Sequence, residues 1–572
     1  MLPSSDGPDA ERGKALRRWG PLAAIAVVIV VVIAVLAVGG GGSDDKDDAA
    51  GGTSGTGGGG KVESPTGAVS WSDAQAAGTT DDYTWPDTCD QETGRVKIPW
   101  ILASECYADA ELEGEATPAQ GVTADSIKVV AYVSPEDDPV IDYVTQAIAN
   151  DDTVEQVSET FQGYVDIFNR TNQLYGRQVD LEILVGSGAA NDEVAARADA
   201  VKAAEDMGAF AVLGGPTLTS AFADELAARH VVCVGCTGGD PSFYEDRAPY
   251  LYGVGGNSDQ VMVMVVEYLA KKLAGHPAEF AGSDDLKATD RAFGYLWIDS
   301  NDSSKDQADL FDERLGEQDV DLAASVSYTL DPARLQEQAT SVITQLKAAG
   351  VTSVVFSGDP VALGPFTTEA TAQDYHPEWI LGPQVLVDTV AFSRTYDQDQ
   401  WAHAFGLSPL TLKPGQEKRA PFVLYNWAYG EDPPAADTSA VILPNPSTFF
   451  AGVSAAGPDL TPETFQQGLF SRPSTPAYET EPRLSYGDNG LWGYPDYNGV
   501  DDVTEIWWDP EATGADEIGR DGVGMWQYVD HGKRFLPGEL DDTVRVFDPE
   551  GAETILADAP EGERAPEYPA PK

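Results

Sequence analysis

Hydrophobic and polar positions along most of this chain switch between two periods. "IKVVAYVS" (127–134) is a β-branched run of strand length, and it is followed by "TVEQVSETFQGYVDIFNR". In that second stretch Val154, Val157, Phe161, Val165 and Phe168 recur at helical spacing and form one apolar face. Asp152 precedes it and Glu155 stands where a capping box would close, which predicts the start of a helix. The order then repeats. "QVDLEILVG", "AFAVLGGP" and "VVCVG" read as strands, separated by the helical "DEVAARADAVKAAED" and "TSAFADELAARH". After "YLYGVGGNSD" the alternation restarts with the helix "DQVMVMVVEYLAKKLAG" and the strand "RAFGYLWIDS". It continues through "DLAASVSYTL", "VTSVVFSGD" and "EWILGP", with helical segments between them. Strands alternating with helices predict parallel sheets covered on both faces. Two such series predict an α/β body of two lobes. Ligands of open parallel sheets bind beyond the carboxyl ends of the strands, so two facing sheets would leave a cleft lined by loops from both.

The start of the chain supplies an address. Arg12, Lys14, Arg17 and Arg18 precede an uncharged apolar run at 21–38, close to the lower length for a membrane-spanning helix. Basic residues before it and acidic ones after it place 1–20 in the cytoplasm as a short stub. Residues 21–38 read as a transmembrane anchor; a cleaved signal, with Ala37 and Gly39 as its small residues, is the alternative. Both export the rest. Residues 39–66, rich in Gly and Asp, form a flexible linker, and 67–120 a cysteine-containing extension. The Pro-, Ala- and Glu-rich 549–572 reads as a disordered tail.

Charge narrows the partners. The chain carries 35 basic against 94 acidic side chains, a formal net charge of −59, without a basic stripe. Such a surface repels phosphate backbones and excludes nucleic acid as a partner. Four cysteines in two local pairs, Cys89 with Cys106 and Cys233 with Cys236, fit an oxidising compartment. A bridge between the first pair would add about 3 kcal/mol by constraining the unfolded chain. "VVCVGCTGGD" sets the second pair at a strand exit, followed by glycines and not by the helix start that activates a redox thiol. It reads as a disulfide at the mouth of the cleft, with free thiols the alternative.

Catalytic signatures are missing. None of the five histidines has metal-motif spacing, and no nucleophile elbow or phosphate-binding loop occurs. The chain is therefore read as a non-enzyme that needs no cofactor or metal. "GVGG" (253–256) reads as a hinge, "DYNGVDDVTE" (496–505) as an acidic turn, and the aromatics of "LWGYPDYNG" and "EIWWDP" as core.

"GVTADSIKVVAYVSP" opens as mature type I periplasmic binding proteins of the branched-chain amino acid class do. "AFAVLGGPTLTSAFADELAARHVVCVGCTGGDPSFY" resembles their strand, hydroxyl-bearing turn, helix, strand and loop order. "GYLWIDSNDSSKDQADLFDERL" resembles the start of their second lobe, "STFFAGVSAAGPDLTPETFQQGLF" their late helix pair, and "VTEIWWDPE" a closing strand. The resemblance implies the two-lobed type I periplasmic-binding-protein fold, with lobe 1 at 121–254 and 384–495 and lobe 2 at 255–383 and 496–548. It implies a solute-capturing component of an ABC importer, partnered by permease subunits and held at the membrane by the N-terminal helix. Carried over position by position, the ligand-binding candidates of lobe 1 are Ser134, Glu136, Asp137, Thr217, Thr219, Ser220, Cys236, Thr237 and Gly238. Those of lobe 2 are Asp299, Asn301, Ser303, Ser357, Asp359 and Gln384. Where the amino-acid binders often carry an acidic partner for the α-ammonium, this chain has the neutral amide of Gln384. The implied ligand is a small polar solute, an amino acid or amide-like. The rival reading is a sensor ectodomain that acts through a separate membrane partner.

Overall fold

The computed structural model describes residues 64–571 apart from 113–115, 139–140, 142–144, 147, 217, 237, 300–303, 330, 332–333 and 384–385. The stub, the 21–38 segment and nearly all of the linker lie outside the described residues. Among the described residues no helix is long and apolar enough to cross a membrane.

The run at 127–134 forms β1 (Ser126–Val133), whose apolar side chains are buried on both faces. It pairs in parallel with β2 (Gln178–Val185) and β3 (Ala211–Leu213). Beyond β3 follow β4 (Val232–Val234) and β5 (Leu251–Tyr252), giving the parallel order β2-β1-β3-β4-β5. The helix Val154–Thr171 turns Phe161, Val165 and Phe168 inward as its spacing predicts. Its cap differs from the expectation. Thr153 and Gln156 close the capping box, one residue later than Asp152 and Glu155. Asp152 is occupied elsewhere, accepting from Thr438 N (2.7 Å) and Thr438 Oγ1 (2.8 Å).

The second sheet has eight strands. β6 (Phe293–Ile298), β7 (Leu322–Tyr328), β8 (Ser353–Ser357), β9 (Glu378–Leu381) and β10 (Ala404–Ser408) run parallel. β11 (Val503–Ala515) lies antiparallel to β10, and it pairs with β12 (Asp521–Tyr528) and β13 (Arg534–Phe535). Alternate residues feed separate cores on the two faces: Leu296, Val354 and Leu381 on one, Tyr295, Val355 and Ile380 on the other. The aromatic runs are core, with Trp508 fully buried and Trp492 and Trp507 nearly so.

β10 corrects the expected lobe boundary. Lobe 2 keeps the chain to Ser408, so 386–408 belongs to the second lobe and the return to lobe 1 is completed at the helix Ala420–Tyr429. The lobes are then joined by passages at 253–257, 409–419 and 472–502. In the first, Gly253 N donates to Tyr497 O (2.8 Å), and Tyr486 Oη donates to Gly253 O (2.9 Å). Asn257 forms a capping box with Gln260, whose Nε2 donates to Asp496 Oδ2 at 2.9 Å. The acidic 496–505 stretch is thus a buried part of this hinge and not a surface turn, with Asp496, Asp501 and Asp502 all at most 3% exposed. Among the described residues no group of acidic, His or Cys side chains is placed to hold a metal ion.

Both cysteine pairs are bonded, Cys89 to Cys106 in the N-terminal extension and Cys233 to Cys236 at the β4 exit. The extension packs Val96, Ile98 and Ala103 into the lobe 1 core. The tail differs from its expected disorder. Leu556 N donates to Lys413 O (3.1 Å), and the Glu563 carboxylate accepts from Glu479 N and Thr480 N (2.8 and 2.9 Å). Trp427 Nε1 then donates to Tyr568 O (2.9 Å), and Tyr568 Oη donates to Asp90 Oδ2 (2.7 Å). A segment too polar to form its own core is ordered here by backbone and carboxylate contacts along both lobes.

Candidate ligand cleft

All three passages leave or enter at the carboxyl edges of the two parallel sheets, because β5 runs into the first, β10 into the second, and β11 starts beside the end of β10. The two carboxyl edges therefore face one seam. Contacts cross it among the described residues. Ile148, from the segment after β1, packs against the lobe 2 core, and Arg520, at the β11–β12 turn, donates to Ala149 O. An open depression of about 650 Å³, lined by Gln120, Ser126, Lys128 and Gly208, lies at the opposite, amino edge of the first sheet, away from the strand exits.

On the lobe 1 side, Ser134 is half-buried just beyond β1, and Glu136 and Asp137 are exposed. The turn after β3 needs Gly214 in the left-handed region (φ 75°), and the turn after β4 needs Gly235 there (φ 74°). Thr219 is 6% exposed, and its Oγ1 accepts from Ala221 N (3.1 Å); Ser220 Oγ donates to Asp224 Oδ2 (3.1 Å). Both hydroxyls thus hold the start of the helix Ala221–Ala228. Cys236 is buried in its disulfide, and Gly238 is half-buried beyond it.

On the lobe 2 side, Asp299 is exposed beyond β6, its N–H donating to Tyr328 O (2.7 Å). Ser357 is half-buried at the β8 exit; it hydrogen-bonds the Tyr295 phenol, which burial pushes up to about 12. Asp359 is fully buried. Its carboxylate accepts from Tyr328 Oη (2.5 Å) and from Val361 N and Ala362 N (both 2.9 Å), so it fixes the loop from within. Burial raises its carboxyl above the ordinary range, and these hydrogen bonds oppose the rise. Thr217, Thr237, Asn301, Ser303 and Gln384 lie outside the described residues. Ser134, Glu136, Asp137, Gly238, Asp299 and Ser357 thus stand at strand exits, while Thr219, Ser220 and Asp359 shape the loops.

One residue at this edge was not foreseen. Asn445, the second residue of the helix Pro444–Ala456, stands beside Gly214 and Gly235 with its Oδ1 buried. A lone Asn between two prolines reads in sequence as a helix start, and only the packing of that helix under β3 and β4 brings it here.

Two α/β lobes are joined by three passages, with strand exits of both at one seam. The chain belongs to the periplasmic binding protein family, whose model matches residues 149–484. It is of the type I, branched-chain amino acid class, a solute-binding protein of the ABC-transporter kind and not an enzyme, and its family works outside the cytoplasm. No curated protein matches the sequence. Among solved structures, the chain is similar to an ABC-transporter solute-binding protein of R. palustris in complex with 4-hydroxybenzoate. There the identity is 12%, the match covers 73% of this chain and 98% of that one, and the TM-score is 0.49. A branched-chain amino acid transporter binding protein of Streptococcus pneumoniae, in complex with isoleucine, is 14% identical over 71% and 100% of the two chains, TM-score 0.46. A fatty acid ABC transporter substrate-binding protein of Thermomonospora curvata is 12% identical over 75% and 95%, TM-score 0.45.

Proposed function

We propose that this chain captures a small polar solute between its lobes and delivers it to the permease of an ABC importer, tethered outside the cell by its N-terminal segment. The observation that carries this reading is the pair of carboxyl sheet edges facing one seam, with hinge passages at the same edges. Ser134, Glu136, Asp137, Gly238, Asp299 and Ser357 line the cleft in this reading. Thr219, Ser220, Cys236 and Asp359 hold its loops in place. By sequence position the same loops add Thr217, Thr237, Asn301, Ser303 and Gln384 as ligand contacts. An amino acid or amide-like ligand fits such a set of hydroxyls and backbone groups.

Thermal unfolding of the full chain against amino acids, amides, amines and aromatic acids tests this. A ligand at a hundred times its Kd adds about 2.7 kcal/mol, which raises Tm by roughly 5 °C for lobes of this size. One chemical class should give the shift and be recovered unaltered by mass spectrometry. No shift with any class, or conversion of the ligand, would overturn the reading.

A further inference from the structure

Resting on the solute-binding reading, in which the lobes move about their passages, one pair of side chains adds a control over that motion. Asp496 and Asp501 lie in the third passage where it runs beside the first, at 1% and 2% exposed. Asp496 accepts from Asn498 N through Oδ1 and from Gln260 Nε2 through Oδ2, both at 2.9 Å, and Gln260 belongs to the first helix of lobe 2. Asp501 accepts from Trp492 Nε1 (3.1 Å) and from Ser485 Oγ (2.6 Å). The two carboxyls also hydrogen-bond each other. Ionised carboxylates only accept, so this bond requires a proton held between them.

Among the described residues neither carboxyl has a cation as ion-pair partner; Arg483, in the same passage, acts on Asp501 from a greater distance. Asp502 is taken by Arg534 of lobe 2 (2.7 Å), and Asp259, on the first helix of lobe 2, by Arg314. The phenols of Tyr244, from lobe 1, and of Tyr486 and Tyr494, from the third passage, face Asp496, and burial raises all three, so they stay neutral. Burial is also the largest influence on the pair. It raises Asp501 to about 6 and Asp496 to about 8, with the charge of Asp501 adding to the rise at Asp496. The shared proton is therefore held up to neutral pH and lost as pH rises through about 8. Two like charges then stand in a buried site, which they relieve by parting and admitting water. We propose that Asp496 and Asp501 form a proton-operated lock on the hinge. With the proton in place the first and third passages are clasped. Without it the lobes swing over a wider range, and the solute, which must then restrict more motion, binds more weakly.

Energy transfer between dyes on Val194→Cys in lobe 1 and Glu337→Cys in lobe 2, both exposed positions, reads the spread of lobe separations in the unliganded full chain. The distribution should widen between pH 7 and pH 9.5. Asp496→Asn supplies a permanent N–H in place of the proton, so its distribution at pH 9.5 should match that of the unsubstituted chain at pH 7. Asp501→Asn should do the same, and serves if the first variant fails to fold. A distribution that does not change with pH, or one that widens equally in the variants, would overturn the lock. For the solute found by thermal unfolding, titration calorimetry should show affinity falling about threefold or more over the same pH range, against a ceiling of about tenfold per unit above pH 8 for one linked proton. Asp496→Asn should lose less. Equal loss in the variant places the titrating group elsewhere and refutes the lock. Failure of every solute removes the solute-binding reading, while the distance distributions still judge the lock.

Discussion

Asp388 offers a test in which removing a charge stabilises the protein. The residue follows β9, is 2% exposed, and its carboxyl accepts from Ser408 Oγ, with Glu517 near enough to oppose its ionisation. Burial, the largest influence, raises it from 3.8 to about 7 against the opposing Ser408 hydrogen bond. The folded state therefore holds this proton more tightly than the unfolded chain. Its stabilising effect is complete below the unfolded value near 4 and is lost as pH rises through about 7. Three units at about 1.4 kcal/mol each give a loss of about 4 kcal/mol between those limits. Asp388→Asn copies the protonated carboxyl in shape and hydrogen bonding but cannot ionise. Urea unfolding of both full-length proteins from pH 4 to pH 8, followed by the fluorescence of buried Trp401, Trp508 and Trp526, should show matching stability at the acid end. At pH 8 the variant should be more stable by up to about 4 kcal/mol. A difference that stays constant with pH, or a variant less stable at pH 8, would refute the reasoning.

Arg291 and Glu378 form a fully buried pair in lobe 2, at 2.9 Å through Nε and 3.0 Å through Nη2, with Ser353 Oγ also on the carboxylate. Arg291→Met should cost about 3–5 kcal/mol in urea unfolding, and Arg291→Met with Glu378→Leu should recover most of it, because the pair itself carries a desolvation cost; a double variant as unstable as the single would contradict this. Deleting 549–572 removes several hydrogen bonds of about 1 kcal/mol each, offset by the entropy of the freed segment. Tm should fall by several degrees, and an unchanged Tm would show that the tail contributes nothing.

Period alone located most of both sheets, because parallel strands buried on both faces are unbroken apolar runs between amphipathic helices. "AFGLS" at 404–408 escaped that reading: five wholly buried residues have no period to separate strand from helix, and the lobe boundary moved with it. The cap at Thr153 turned on a choice between adjacent acceptors that Asp152's long-range contact with Thr438 decided. Strand-end positions were legible, but the duty of each polar group was not. Asp359 reads as a loop carboxylate until Tyr328 and two backbone N–H groups are placed around it. The acidic 496–505 stretch read as an ordinary turn because its partners, Gln260 on Asp496 and Arg534 on Asp502, lie far away in sequence. Asn445 had no local signal, since its place is beside two distant glycines.

The ordered tail changes how the lobes are mechanically connected. The chain passes between lobes at 253–257, 409–419 and 472–502, and the stretch from Glu553, paired with Tyr528 of lobe 2, to Tyr568 on lobe 1 makes a fourth crossing. With an even number of crossings, the described chain begins and ends on the same lobe, and its two ends are hydrogen-bonded through Asp90 and Tyr568. Lobe 2 is thus made of two segments, 258–408 and 503–553, each anchored to lobe 1 at both of its ends, so neither has a free end from which to peel away. The near-closed ring also suits the described body to circular permutation, with a short linker joining the extension to the tail and new ends opened in an exposed loop.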